Sequence, residues 1–462
     1  MANENVKLKP LGTNKYTDGE GGGDGNSPSP NEDYDPHLYR EVDNPTTNIE
    51  TLIHLLKGCL GTGILAMPEA FKNSGLLNGL VSTFLIGALC TYCLHVLVQA
   101  QYVMCKRLKV PMLSYPQSMK VALESGPQCL RPFAKYSPLL VDFFLIAYQL
   151  GICCVYIVFV GVNVKVVLDQ YLGKTSITIY ILCTFIPFLL INCIRNLKLL
   201  APFSTLANII TLASFGVVCY YVFQDLPDIS DRPSFGRLYT YPLFFGTTLF
   251  ALEAVGVVIA LENNMKTPKN FGGYCGVLNI GMVVVTVLYV GLGFIGYWKY
   301  GDNVQASLTL NFPIEEPMAQ AISILYSIAI FISYGLQGYV PVAIIWNTYI
   351  VKRLEGSSHL LAWEYLLRFV CVIVTFVLAL TIPMLGLFIS LFGAFCLSAL
   401  GFAFPAIMEI CVHWPDNLGP FRWVLIKDVL LILVGVVGLL AGSYSCISEM
   451  VAEFQRMSAE GN

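Results

Sequence analysis

From residue 48 onward the chain is a succession of eleven long apolar segments separated by short polar connections. Each segment is long enough to cross the hydrocarbon core of a bilayer, about 30 Å thick, as a helix. Helices satisfy their own backbone hydrogen bonds, as the membrane interior demands. The sequence therefore predicts an all-α polytopic membrane protein with about eleven transmembrane helices. The predicted spans are 48–74, 77–104, 138–168, 176–194, 200–224, 241–262, 274–298, 318–346, 361–383, 385–410 and 424–447.

The composition excludes most other classes of protein. Only 12% of the 462 residues are charged, against about 25% in soluble domains. The formal net charge of −3 offers no basic excess for nucleic acid, so the expected surroundings are a lipid bilayer.

The letters GTGILA at 61–66 match a dinucleotide-binding fingerprint, but no predicted strand precedes them. No Walker motif, nucleophile elbow or zinc spacing occurs, so we expect no enzyme, no cofactor and no metal site.

Three parts of the chain are predicted. Residues 1–47 are rich in Gly, Ser, Pro, Asn and acids and are expected to form a disordered, cytosolic tail. Residues 48–447 form the transmembrane domain, and residues 448–462 a short extracellular or luminal tail. Lys and Arg are concentrated in the connections after even-numbered spans, which places the amino terminus in the cytosol.

The first span contains a cluster of glycines that favours a break in its helix. Gly58, Gly61 and Gly63 lie within six residues and are followed by a proline. A break near Gly61 would place the amides of Gly61, Thr62, Gly63 and Ile64 at the start of an outer half-helix. That position suits a carboxylate. The alternative is a glycine-lined packing face between helices.

The sixth span echoes the first about 185 residues later in the run Gly246–Ala254, which contains Thr247. Spans one and six open the two halves of a five-plus-five arrangement and cross the bilayer in opposite directions. Two interrupted helices in these positions predict an inverted-repeat transporter with its site at the midplane, and the eleventh span is an addition to the repeat.

Ionisable groups inside spans are candidate functional residues, because burying charge in the membrane is expensive. His54 lies seven residues before Gly61 and is the candidate proton carrier. Glu253, just past the expected second break, is the alternative, and Asp142 is a further candidate. A neutral packed histidine and a salt-bridged structural acid are the competing interpretations. Several other charges near span ends are expected to be anchors: Lys57, Glu262, Arg368, Glu409 and Asp428.

Aromatic side chains are also expected to wall a small cavity near the breaks. The candidates are Phe250 in the sixth span, Tyr148 in the third and Tyr334 in the eighth. A chain with 28 Phe and 25 Tyr offers many rivals for this role, and core packing is the alternative for each of the three.

Several long motifs resemble the proton-coupled amino acid transporters of the amino acid/auxin permease superfamily, and the first is most similar to insect members. The resemblance runs from about residue 48 to 450. It implies an eleven-span fold and symport of protons with small amino acids such as glycine, alanine and proline. The histidine linked to proton coupling in that family maps to His54. The motifs are HLLKGCLGTGILAMPEAFKNSG, VDFFLIAYQLGICCVYIVFV, IRNLK, YPLFFGTTLFALEAVGVVIALENNMKTPKNF and GYWKYGDNVQASLTLNFP.

The expected function is proton-coupled symport of small neutral amino acids across the plasma membrane or an endolysosomal membrane. The ligands are then small amino acids and protons, and the sequence names no protein partner. Two alternatives stay open. One is an amino-acid sensor with little flux, and the other is a uniporter or sodium-coupled carrier of the same fold.

Overall fold

The structure is a computed structural model. It describes residues 34–40, 42, 45–59, 61–195, 197–252, 254–354, 359–415 and 417–460. Within these residues the chain is helical, and the only strand-like pairing is a single parallel bridge between Thr46 and Met265. No disulfide joins the fifteen cysteines, all of which lie in the described part.

Fifteen α-helices account for most of the described chain, together with two π-helical segments that continue α11 and α13. The π-helical segments are Ile345–Ile350 and Gly393–Ala403. The α-helices are α1 Asn48–Cys59, α2 Thr62–Ser74, α3 Leu76–Leu108, α4 Tyr115–Ser125, α5 Ser137–Leu172, α6 Ile177–Asn192, α7 Leu197–Phe223, α8 Tyr241–Leu252, α9 Val255–Asn263, α10 Val277–Tyr300, α11 Pro317–Ile344, α12 Leu360–Thr381, α13 Leu385–Phe392, α14 Phe404–His413 and α15 Trp423–Glu460.

Nine of the described helical segments are long and apolar enough to cross a membrane, and the bent pair α1 and α2 makes a tenth span. The shorter apolar helix α6 lies at the position of the remaining predicted span. This confirms the predicted class of an all-α polytopic membrane protein. The outer faces of these helices carry large apolar side chains that would be unfavourable in water, such as Leu430, Leu433 and Leu440 of α15. These faces are suited to contact with lipid.

The centre of the bundle is formed by the first, sixth, seventh, third and eighth spans. Helix α2 packs against α8 and α10, and α5 packs against α11. Helix α1 contacts α9 while α2 contacts α8, so the first and sixth spans run antiparallel. This is the relation expected of the first helices of two inverted halves.

An ordered segment precedes the first span, inside the region where we expected a solvated tail. The Arg40 guanidinium lies 2.9 Å from the Glu262 carboxylate, and both side chains are buried. The His37 imidazole lies 3.2 Å from the same carboxylate. Thr46 pairs with the backbone just after α9, so the described residues before the first span are held at the end of the sixth span. We call residues 34–40, 42 and 45–47 the amino-terminal strap.

A second ion pair of the strap joins Asp35 to Lys269 at 2.9 Å. Burial raises the pKa of Asp35, but the hydrogen bonds from Lys269 and from the His37 amide outweigh it and hold this pKa below its usual range. A lowered carboxyl pKa stabilises the folded state above the unfolded pKa, and this contribution is lost as the pH falls. Acid therefore weakens this contact.

We expect Arg40→Ala to destabilise the protein by about 3–5 kcal/mol, because it leaves the buried Glu262 carboxylate without its guanidinium partner. The measurement is the thermal unfolding of the purified protein in detergent. The double variant Arg40→Met with Glu262→Gln removes both charges and should recover most of the loss. A loss in the double variant as large as that in the single variant would show that the ion pair is not the cause.

Candidate functional site

The first span is broken where the glycine cluster predicts. Helix α1 ends at Cys59, α2 begins at Thr62, and the two helices are inclined by 53°. Gly61 lies between them with non-helical backbone angles, φ −111° and ψ −149°. Its amide donates to the Cys59 carbonyl at 2.8 Å, which closes a tight turn. The prediction of a break near Gly61 is therefore confirmed.

The start of α2 presents donors that its own backbone cannot satisfy. The first amides of any helix lack an intrahelical acceptor. The N-cap residue of α2 is Gly61, and no side-chain hydrogen bond caps the helix there. The hydroxyl of Thr62 is buried and has no hydrogen-bond partner among the described residues. An unpartnered hydroxyl beside the amides of Thr62, Gly63 and Ile64, at the positive end of a helix, is an arrangement that suits a carboxylate.

Three buried tyrosines surround the break, and the sequence did not single them out. The Tyr289 hydroxyl donates to the Cys59 carbonyl at the end of α1. The Tyr156 hydroxyl lies beside Gly61, 3.7 Å from where a Cβ would stand. The Tyr326 hydroxyl is buried without a hydrogen-bond partner among the described residues and lies within electrostatic range of the other two. Tyr156 follows Tyr148 by about two helical turns, which was the available signal.

The sixth span is interrupted later than we predicted. Thr247 lies inside α8, which continues to Leu252, and the interruption falls just before α9 at Ala254 (φ −133°, ψ 0°). The predicted interruption is present within Gly246–Ala254, but Thr247 is not part of it. The small residues there serve close packing: a Cβ on Gly246 would stand 2.2 Å from the Ser390 carbonyl oxygen. Glu253 falls at the interruption but lies outside the described residues.

The two broken spans are sealed on one side and open on the other. Helices α2 and α8 cross so closely that a Cβ on Gly63 would stand 2.7 Å from the Ala251 Cα. Ten of the thirteen residues of α2 are buried. By contrast, α1 buries three of its twelve residues, and both Gly58 in α1 and Gly256 in α9 are exposed. The half of the break formed by α1 and α9 is therefore more exposed than the half formed by α2 and α8.

His54 lies on α1, in the more exposed half of the first span and one turn before Gly58, and is half-buried. Glu50 and Lys57 are its charged neighbours, each about one turn away on the same face of α1. This face leads from the amino-terminal end of the span to the break. His54 is thus close to the break but on the half-helix that precedes it.

Two of the three predicted aromatic residues meet. The Tyr148 and Phe250 rings pack edge to face with their centroids 6.2 Å apart, and both are buried. Tyr334 lies elsewhere: its ring packs against Phe188 of α6, and its hydroxyl lies 3.3 Å from the Thr375 hydroxyl of α12. Tyr148 and Phe250 are therefore in contact, as predicted, whereas Tyr334 packs between α6, α11 and α12.

Three other buried charges, Asp142, Glu364 and Arg368, have structural partners. Asp142 accepts a hydrogen bond from the Tyr349 hydroxyl at 2.7 Å. Arg368 and Arg195 both pair with Glu364, at 3.0 and 2.7 Å. Arg368, 3% exposed, is therefore part of a buried ion-pair network and not the lipid-headgroup anchor that we expected. No cluster of His, Cys, Asp or Glu suited to a metal ion occurs among the described residues.

A bundle of many membrane-spanning helices with a discontinuous first span is the architecture of a membrane transporter. The chain belongs to the transmembrane amino acid transporter family, whose profile, described as "Transmembrane amino acid transporter protein", matches residues 44–448. The predicted kinship is confirmed, and the protein is a transporter and not an enzyme.

Two relatives are similar over most of this chain. It is 40% identical over 423 residues to the proton-coupled amino acid transporter-like protein pathetic of Drosophila melanogaster, covering 91% of this chain and 89% of that protein. It is 26% identical over 433 residues to vacuolar amino acid transporter 4 of Saccharomyces cerevisiae. That match covers 87% of this chain and 58% of the yeast protein.

Proposed function

We propose that the protein is a symporter that couples the entry of small neutral amino acids to the movement of protons. The observation that carries this proposal is the break at Gly61, where the free amides of α2 lie beside the unpartnered Thr62 hydroxyl. Family membership supports amino acids as the cargo, and the name of the Drosophila relative, a proton-coupled amino acid transporter-like protein, supports protons as the coupling ion.

The substrate carboxylate binds to the amides of Thr62, Gly63 and Ile64 and to the Thr62 hydroxyl. The Gly61 amide, which we predicted as a fourth donor, already donates to the Cys59 carbonyl. The ammonium binds to carbonyl oxygens at the ends of the two first half-helices, near Gly58 in α1 and in the last turn of α8. We place the second set near Leu252 and not at Thr247, because α8 is continuous through Thr247. Carbonyls at the end of a helix carry partial negative charge and suit a cation.

Selection for small, neutral side chains follows from the surroundings of the break. The crossing of α2 and α8 at Gly63 leaves little room. Phe250, the neighbour of Ala251 in α8, is packed edge to face with Tyr148 and adds bulk next to this crossing. The sequence of α8 contains no charged residue that would pair with a charged substrate side chain. A larger or charged side chain would therefore lack both space and a partner.

His54 takes the coupling proton, with Glu253 as the alternative site. In the orientation that the distribution of Lys and Arg predicts, α1 and α9 lie on the cytosolic side of the break, and the substrate leaves toward the cytosol between them. Protonation favours the state that closes over the substrate, and rocking of one bundle exposes it on the other side. One proton moving down about one pH unit yields about 1.4 kcal/mol.

We place the protein in the plasma membrane or an endolysosomal membrane, with the amino terminus in the cytosol. Both membranes border an acidic compartment that would drive the substrate toward the cytosol. The yeast relative is called vacuolar, which favours an endomembrane.

Uptake into proteoliposomes tests the proposal. We expect glycine, alanine and proline to enter faster when the side from which they enter is acidic, without a requirement for sodium. Uptake that needs sodium, or that ignores the pH gradient, would support the sodium-coupled carrier or the uniporter. Binding of amino acid without flux would support the sensor.

In His54→Ala, we expect that an acidic outer side will no longer accelerate amino acid uptake appreciably. The variant should still exchange substrate across the membrane. The reason is that the variant retains the break but lacks the group that carries the proton. The matched control is His359→Ala, outside the broken spans at the start of α12. An unchanged pH response in His54→Ala would remove His54 from the coupling and leave Glu253 as the candidate.

A further inference from the structure

A second group of membrane-embedded ionisable residues lies outside the site described above, between α3, α14 and α15. The Lys427 ammonium lies 2.8 Å from the Glu409 carboxylate and 3.2 Å from the Asp428 carboxylate. It also donates a hydrogen bond to the Tyr92 hydroxyl of α3. One ammonium thus serves two carboxylates that belong to different helices. We call Glu409 and Asp428 the carboxylate pair.

Asp428 is the member of the pair whose carboxylate has fewer hydrogen bonds. Its side chain is 0% exposed, and neither carboxylate oxygen accepts a hydrogen bond among the described residues, although the Lys427 ammonium is near. We expected Asp428 to be an anchor at the end of its span, but its side chain on α15 is buried inside the protein. A buried carboxylate without hydrogen bonds is strongly unfavourable when ionised.

The charge count of the cluster leaves one negative charge uncompensated. Two carboxylates and one ammonium sum to −1 when all are ionised. Three further titratable groups lie near the pair: Tyr92 and Cys93 of α3 and His413 at the end of α14. The nearest other cation on α3 is Arg107, whose guanidinium donates to the Val412 carbonyl of α14. The π-helical segment Gly393–Ala403 and α8, which pack on α15, contain no charged residue. A bound proton would neutralise the charge that Lys427 leaves on the two carboxylates.

We propose that the carboxylate pair is a proton-binding site that holds one proton between Glu409 and Asp428, separate from the coupling proton at His54. The Lys427 ammonium already occupies the space beside both carboxylates, so a proton fits the remaining charge and a metal cation does not. The bound proton removes the repulsion between α14 and α15 and tightens their contact. This site goes beyond the proposed symport mechanism, which uses the first and sixth spans.

The site has a route to the surface. A small, partly open cleft between α3 and α14 is lined by Gln99, Glu409 and His413, among others. His413 lies about one turn beyond Glu409, at the end of α14. Protons therefore exchange with the compartment at the carboxyl-terminal end of α14, which is the cytosol in the predicted orientation. The pair then responds to the pH of that compartment.

The test is the pH dependence of thermal unfolding of the purified full-length protein in detergent, which does not require transport. A proton held more tightly in the folded state raises stability as the pH falls, by up to about tenfold in the unfolding equilibrium per pH unit. We expect acidification from neutral pH to raise the melting temperature of the wild type relative to Asp428→Asn and Glu409→Gln, which lack a titrating pair. Glu453→Gln, an exposed position on α15, should behave as the wild type.

Parallel pH profiles of the wild type and both pair variants would overturn the proposal. Stabilisation by sodium chloride at fixed pH, absent with choline chloride, would also overturn it in favour of a metal cation. If either variant fails to fold, infrared difference spectra of the wild type test whether the carboxylate pair binds a proton. A protonated-carboxyl band that appears on mild acidification and is absent from the variant that does fold supports the site, and a wild type without such a band refutes it.

Discussion

Gly63→Leu is expected to abolish amino acid uptake and to destabilise the protein by about 1–3 kcal/mol, because overpacking a close helix contact forces backbone shifts. A Cβ at this position would stand 2.7 Å from the Cα and 3.2 Å from the Cβ of Ala251. These neighbours are backbone and Cβ atoms of α8, which cannot turn aside as the end of a flexible side chain would. The added side chain would therefore drive α2 away from α8 and displace the amides of the site.

The matched control for this change is Gly216→Leu in the exposed apolar face of α7. A Cβ at Gly216 would meet nothing within 4 Å, so leucine there adds an apolar side chain in open space. Uptake assays and thermal unfolding should show a near wild-type protein. If Gly63→Leu transports as well as Gly216→Leu, then close approach of α2 and α8 is not required for function.

Thr62→Val is expected to raise the KM for amino acid uptake without lowering stability. Valine has nearly the same shape but no hydroxyl, and a hydrogen bond to a charged group is worth about 1.5–3 kcal/mol, or about ten- to hundred-fold in KM. The folded protein should tolerate the change well, because the Thr62 hydroxyl is buried without a partner among the described residues. Its loss removes a desolvation cost in the absence of substrate.

Thr62→Ser retains the hydroxyl and should keep most of the affinity, whereas Thr83→Val tests the loss of a hydroxyl elsewhere. Thr83 is buried in α3 and donates to the Gly79 carbonyl at 2.7 Å, so its valine variant should affect stability and leave the KM unchanged. A KM for Thr62→Val equal to that of the wild type would show that this hydroxyl does not contact substrate.

The sequence predicted the membrane fold and the first break for clear physical reasons. Apolar segments of spanning length have few alternatives in a bilayer. The glycines at 58, 61 and 63 weaken one short stretch of helix, and the turn at Gly61 lies there. The same type of signal failed at Thr247, because small residues serve equally well for the close contact between Gly246 and Ser390. Local sequence does not distinguish the two uses.

Other features depend on which helices become neighbours, and this is not encoded locally. Tyr289 and Tyr326 acquire a role only because α10 and α11 pack around the break. Asp428 was expected at a span end, and its burial depends on how α14 and α15 pack against α3. The amino-terminal strap has no apolar pattern and is held by ion pairs such as Arg40 with Glu262, so hydrophobic periodicity could not reveal it.

The most direct measurement for the central claim is an experimental structure of the protein with glycine or alanine bound. The proposed site predicts that the substrate carboxylate lies within about 3 Å of the amides at the start of α2 and of the Thr62 hydroxyl. It also predicts that the ammonium contacts carbonyl oxygens at the ends of α1 and α8. A substrate bound elsewhere, or a first span that is a continuous helix through Gly61, would contradict it.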